Sequence, residues 1–109
     1  MARFYNAKTD DNHAETLKLL RSLGFSCKSV HQIKGFVDIV AGRNGINYLI
    51  EVKDGSKPES SRQLTEKEAE FHNDWKGTLH IIETEQDCYD LLTNHVASLA
   101  RSDKTSISK

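Results

Sequence analysis

The chain has 109 residues, 37% hydrophobic and 28% charged, with one proline, two cysteines and a formal net charge of −1. That length suits one domain over 1–109 rather than two, with a core over about 10–100 and a flexible tail over 101–109, and the composition excludes the disordered, fibrous and low-complexity classes. No apolar run nears the ~18 residues of a membrane span. The start Met1-Ala2-Arg3-Phe4-Tyr5-Asn6 lacks the apolar stretch of a signal peptide, so a cytoplasmic protein with no membrane partner is expected.

Asn12 precedes Leu17, Leu20 and Leu23 at near-helical spacing, and Glu15 three residues on makes a capping-box-like start, with Gly24 as the stop. Residues 26–32, 35–41 and 46–53 read as strands, because β-branched and aromatic residues replace the helical period. Gly42-Arg43-Asn44-Gly45 joins the last two as an antiparallel hairpin, both glycines being able to take positive φ. Residues 54–63, with the only proline, form a loop.

Thr65 with Glu68 forms a second capping box, and Phe71 and Trp75 share one face of the helix that follows, which Gly77 ends. That face is expected to pack in the core rather than stack on bases. Residues 78–83 are a short strand, and Thr84 with Asp87 opens a third helix striped by Cys88, Leu91, Leu92, Val96 and Leu99. A helix crossing between the third and fourth strands favours a parallel pair there. The expected fold class is therefore α/β, αβββαβ in order, with a mixed four-stranded sheet flanked by helices.

The chemistry is carried by charge placed where it is expensive. Asp38 interrupts the apolar run Phe36-Val37-Asp38-Ile39-Val40-Ala41, and Glu51 and Lys53 interrupt Tyr48-Leu49-Ile50-Glu51-Val52-Lys53. Charges in such strands lose solvation unless paired or bound to an ion. Alternation puts Glu51 and Lys53 on one face, opposite Tyr48, Ile50 and Val52. The hairpin brings Asp38 across from residues 49–51, within the ~8 Å of cross-strand neighbours. Asp38, Glu51 and the Val52 carbonyl make a hard oxygen site suited to Mg²⁺, with Mn²⁺ able to substitute. With Lys53 beside the attacking water, phosphodiester hydrolysis is the reaction implied.

Val37-Asp38 followed after a hairpin by Glu51-Val52-Lys53 resembles the PD-(D/E)XK nuclease superfamily. Glu15 resembles the extra acid many such nucleases carry on their first helix, which implies a catalytic role supporting a second ion or water beside the capping role, and the run 64–75 looks like the post-lysine helix of compact, often phage-encoded VRR-NUC proteins. The likeness covers roughly residues 10–92. It implies a restriction-endonuclease-like core and a magnesium-dependent endonuclease leaving 5′-phosphates, in a bacterial or phage-infected cell. Branched, Holliday-junction-like DNA is the favoured substrate, ahead of flaps and duplex. Two positions depart from the pattern: Val37 replaces the proline that names the motif, and Glu68 replaces the helix glutamine, whose polar role Gln63 could take.

The negative charge argues against DNA binding on its face. An acidic metal pocket lowers net charge in any such enzyme, and bound metal restores part of it. Lys57, Arg62, Gln63, Lys34 and Arg43, with Lys28, are the candidate DNA-binding rim, a solvated face being the plain alternative. Cutting both strands with so small a domain would need two subunits, most simply a C₂ homodimer.

Other readings have less to stand on. Cys27 and Cys88 are isolated and read as reduced thiols. His13, His31, His72, His80 and His95 are scattered without zinc-site spacing, and no Gly-x-Ser-x-Gly elbow is present. Helix-strand-strand-strand-helix is also the order of double-stranded-RNA-binding domains, but the second helix starts acid-rich and residues 78–100 are surplus to that fold. An inactive nuclease-fold assembly protein is the remaining alternative, against which the intact Asp38, Glu51 and Lys53 set speaks.

Overall fold

Three helices and a four-stranded mixed sheet make up the computed structural model, which describes residues 12–107 and, within them, the side chains of all but 61 and 102–107. In chain order these are α1 (His13–Ser22), β1 (Ser26–Ser29), β2 (Ile39–Arg43), β3 (Ile46–Val52), a 3-10 turn at Glu59–Arg62, α2 (Glu66–Asp74), β4 (His80–Ile82) and α3 (Glu85–Ile107). The strands lie side by side in sequence order. β1 and β2 pair antiparallel, as do β2 and β3, whereas β4 runs parallel to β3 after the α2 crossover.

The hairpin turns on two residues, not four. Asn44 (φ 50°) and Gly45 (φ 83°) take the left-handed conformations of a tight Asn-Gly turn, while Gly42 stays inside β2 opposite Asn47. This fixes the register Ile39↔Ile50 and Ala41↔Tyr48. Inward alternation then buries Ile39 and Ala41 on β2 with Tyr48, Ile50 and Val52 on β3, joined by Leu20, Phe25, Ile82, Cys88 and Leu91 in one core. Each fully buried Leu or Ile there contributes about 1.5–3 kcal/mol. α1 and α3 cover this face of the sheet.

The strands are shorter than their sequence signal. Residues 30–38 form a loop, with Ile33 N–H donating back to the Val30 carbonyl over 3.0 Å, so β1 stops at Ser29 and β2 starts at Ile39. Phe36 explains part of this: its ring leaves the sheet for an edge-on contact with Phe71, centroids 5.3 Å apart. α2 reaches the outer side of the sheet through Glu68, 3.5 Å from Lys53 Nζ, and has no buried residue, so Phe71 and Trp75 are not core residues, contrary to expectation.

The caps also divide. Thr65 and Glu68 form the expected reciprocal box, and Thr84 with Asp87 does the same for α3. Asn12 makes no cap bond; its amide Nδ2 donates to the carbonyls of Lys53 (3.0 Å) and Glu83 (3.4 Å), tying the head of α1 to the ends of β3 and β4. The chain expected as a flexible tail continues α3 to Ile107; the leader and residues 10–11 of the expected core lie outside the described residues, as do 108–109. Among the described residues no helix is long and apolar enough to cross a membrane.

Candidate functional site

Asp38, Glu51 and Lys53 meet where β2 begins and β3 ends. Asp38 N–H donates to the Ile50 carbonyl over 3.0 Å, extending the ladder by one residue, and Asp38 Oδ2 accepts from Val52 N–H over 2.8 Å. That places the first acid beside the Glu51-Val52-Lys53 backbone. On the outer face, Lys53 Nζ stands 3.5 Å from Glu51 Oε2 and 3.5 Å from Glu68 Oε1. The sequence signal did not assign Glu68 to this cluster; it caps α2 and reaches the lysine with the same carboxylate oxygen.

Glu51 is only 1% exposed, and its Oε1 is buried with no hydrogen-bond partner. Burial, then the charges of Asp38 and Glu68, push its carboxyl up to about 9, against a smaller opposing pull from Lys53. The two acids around Lys53 thus divide the work. Burial pushes Glu68 upward too, but the Thr65 N–H and Lys53 outweigh it and hold Glu68 below its ordinary value, so Glu68 carries the charge that balances the lysine.

Such an acid is unstable as an anion without a further cation. A buried carboxylate oxygen that faces no donor, next to Asp38 and backed by Val52, fits a hard divalent ion, which would reverse the local preference and favour ionised Glu51. Asp38 and Glu51 would hold it, with the Val52 carbonyl as the third candidate oxygen. Among the described residues no group of three or more His, Cys, Asp or Glu side chains is arranged around a metal position, so waters or substrate oxygens would complete the shell.

α1 contributes different residues from the one its acidity suggested. Its buried stripe is His13, Thr16 and Leu20, which turns Glu15 outward into a separate groove beside Asn12, Asp54 and Glu83. His13 faces the Asp38 end instead: burial holds its imidazole below the ordinary value, with the Asp38 charge opposing. His13 Nε2 lies 3.0 Å from Ser29 Oγ, which lies 3.1 Å from His31 Nδ1. Four of the five histidines scattered in sequence meet in space, His13 with His31, and half-buried His80 and buried His95 around Tyr48, whose hydroxyl bonds His95 Nδ1.

The basic rim is discontinuous. Arg62 is engaged by Glu83 at 3.0 Å and shares a groove with exposed Gln63, while Lys57 is half-buried in the loop after Lys53. Lys34 is exposed in the 30–38 loop. Arg43 sits at the far end of β2, five residues from Asp38 or roughly 17 Å of extended strand, where Nε donates to the Leu23 carbonyl and the guanidinium covers Phe25. Geometry thus separates Arg43 from the acidic cluster.

Compared with protein-family models, curated proteins and solved structures, the chain matches none. What can be said of its activity rests on the site itself.

Proposed function

We propose that this α/β protein is a magnesium-dependent DNA endonuclease of the PD-(D/E)XK type, similar to VRR-NUC and Holliday-junction-resolving enzymes. The observation that carries the reading is Glu51: a buried carboxylate with an unpartnered oxygen, flanked by Asp38 and Lys53 at the open end of a hairpin. Asp38 and Glu51 bind the ion. Mg²⁺ held there would supply Lewis acidity toward the phosphoryl oxygen and the attacking water. Lys53, held between two carboxylates, keeps its ammonium where it can orient the attacking water and stabilise charge developing on the phosphate.

The substrate in this reading is branched or duplex DNA, a homodimer cutting both strands and leaving 5′-phosphates. The Lys53–Glu68 contact favours a second reading, a purely structural ion cluster on a non-catalytic fold. One experiment separates them: labelled four-way junction, flap, duplex and single-stranded DNA, each with Mg²⁺ or EDTA, beside Lys53→Ala. Metal-dependent cutting that falls at least 100-fold in the variant supports the nuclease. Folded protein that cuts no substrate supports the structural cluster.

A further inference from the structure

α2 buries nothing, yet Phe71 on the helix and Trp75 at its C-cap place two of the chain's large aromatics side by side. Phe71 lies between Phe36, edge-on at 5.3 Å, and Trp75, tilted by 33° at 5.2 Å. Trp75 keeps 44% of its surface exposed. Its indole rests against Phe71 and beside Gly77, where an added Cβ would stand 2.7 Å from Nε1 and displace the ring. A rigid aromatic surface left open to solvent costs stability and loses little entropy when something stacks on it.

The platform is continuous with the candidate site along both chain segments that form it. Phe36 precedes Asp38 by two residues, and Phe71 follows Glu68 by one helical turn. From Glu68 to Trp75 is seven residues, roughly 10 Å along the helix axis, so the platform begins at the cluster and leads away from it. Its flank is partly basic. Lys67 packs against Gly35, and Lys34 and Lys76 are exposed beside Phe36 and Trp75 in sequence. Helical spacing turns Glu66 and Glu70 away from this stripe; Asp74 lies at its edge, and Glu68, on the stripe itself, is engaged by Lys53 at 3.5 Å. Three partly exposed rings are far short of the ~800 Å² per partner that a stable protein interface buries, but they match the face of one or two bases.

We propose that Phe36, Phe71 and Trp75 form a stacking platform for an unpaired DNA base next to the candidate site. Resting on the nuclease reading for the scissile phosphate, this assigns the substrate class: DNA with single-stranded or splayed nucleotides at the cleavage position, rather than continuous duplex. Stacking tolerates any base, since each presents a π face, so the platform selects structure and not sequence.

Trp75 is the chain's only tryptophan, so its emission reports on this surface alone. The test titrates oligo(dT) and a flap into the whole protein in EDTA, reading Trp75 emission and, in parallel, anisotropy of labelled DNA; a blunt hairpin duplex is the control. Expected is quenching that saturates with the anisotropy for oligo(dT) and flap but not for the hairpin. Trp75→Ala should weaken single-strand binding roughly 5- to 100-fold and Trp75→Phe should restore most of it, with circular dichroism confirming the fold of both. DNA binding that leaves Trp75 emission unchanged, or binding equal in Trp75→Ala, overturns the proposal. So does emission that depends on protein concentration without DNA, since the rings then meet a second copy. Cutting without quenching sinks the platform and spares the nuclease; quenching without cutting in Mg²⁺ does the reverse.

Discussion

Replacing Glu51 by glutamine should stabilise the metal-free protein and abolish the proposed cutting. The folded carboxyl titrates at about 9 against 4.5 for an ordinary one. Between those values the folded chain binds a proton that the unfolded chain does not, so stability falls as pH rises. Two and a half units to pH 7, at about 1.4 kcal/mol each, give about 3.5 kcal/mol, an upper figure because movement of Lys53 and entry of water relieve part of it. Glutamine keeps the shape and removes the titration. Urea unfolding in EDTA between pH 7 and 8.5 should show wild type losing up to about 2 kcal/mol more than Glu51→Gln, which keeps only the small loss near pH 8.5 from Cys27 and Cys88, whose thiols burial raises. That window lies above the histidine range and mostly below thiol ionisation. Saturating Mg²⁺ should restore the wild type, by about 2.7 kcal/mol at a hundred times Kd, and leave the variant unchanged. A wild-type profile flat across the window, or a variant less stable than wild type at pH 8.5, would falsify the account of Glu51 as a buried acid awaiting a cation.

Two further outcomes follow from the placement of side chains. Glu15→Gln should leave Mg²⁺-dependent cutting within about twofold of wild type, because Glu15 faces the outer groove and not the Asp38 cluster; a loss like that of Lys53→Ala would show that α1 approaches the site differently. Acid stability should depend on His13, His80 and His95, each held below its ordinary value first of all by burial. The unfolded chain takes up protons below about pH 6.5 that these folded imidazoles refuse, so stability must drop as pH falls through that value. The drop is best read in Glu51→Gln, where the opposing slope of the carboxyl is gone; a level melting temperature from pH 7 to 5.5 would contradict it.

Much of this molecule is local enough to be read from its residues. Asn44-Gly45 between alternating strands specifies the hairpin, because few residue pairs accept two successive positive φ angles. Thr65 with Glu68, and Thr84 with Asp87, announce their helices through bonds spanning three residues. Asp38, Glu51 and Lys53 stand out because charge in an apolar strand needs compensation, and the two-residue period is enough to bring them together. The turning outward of Glu15 was legible as well, since His13, Thr16 and Leu20 are spaced as a buried stripe, but a capping pattern with Asn12 competed with it. What only the tertiary structure decided lies between segments distant in sequence. Asn12 abandons its cap for the carbonyls of Lys53 and Glu83, Glu68 reaches across to Lys53, and Phe36 leaves the sheet to meet Phe71. No period or spacing encodes these contacts. They depend on where the α2 crossover places its side chains beside the ends of the strands, which contacts between segments far apart in the chain decide.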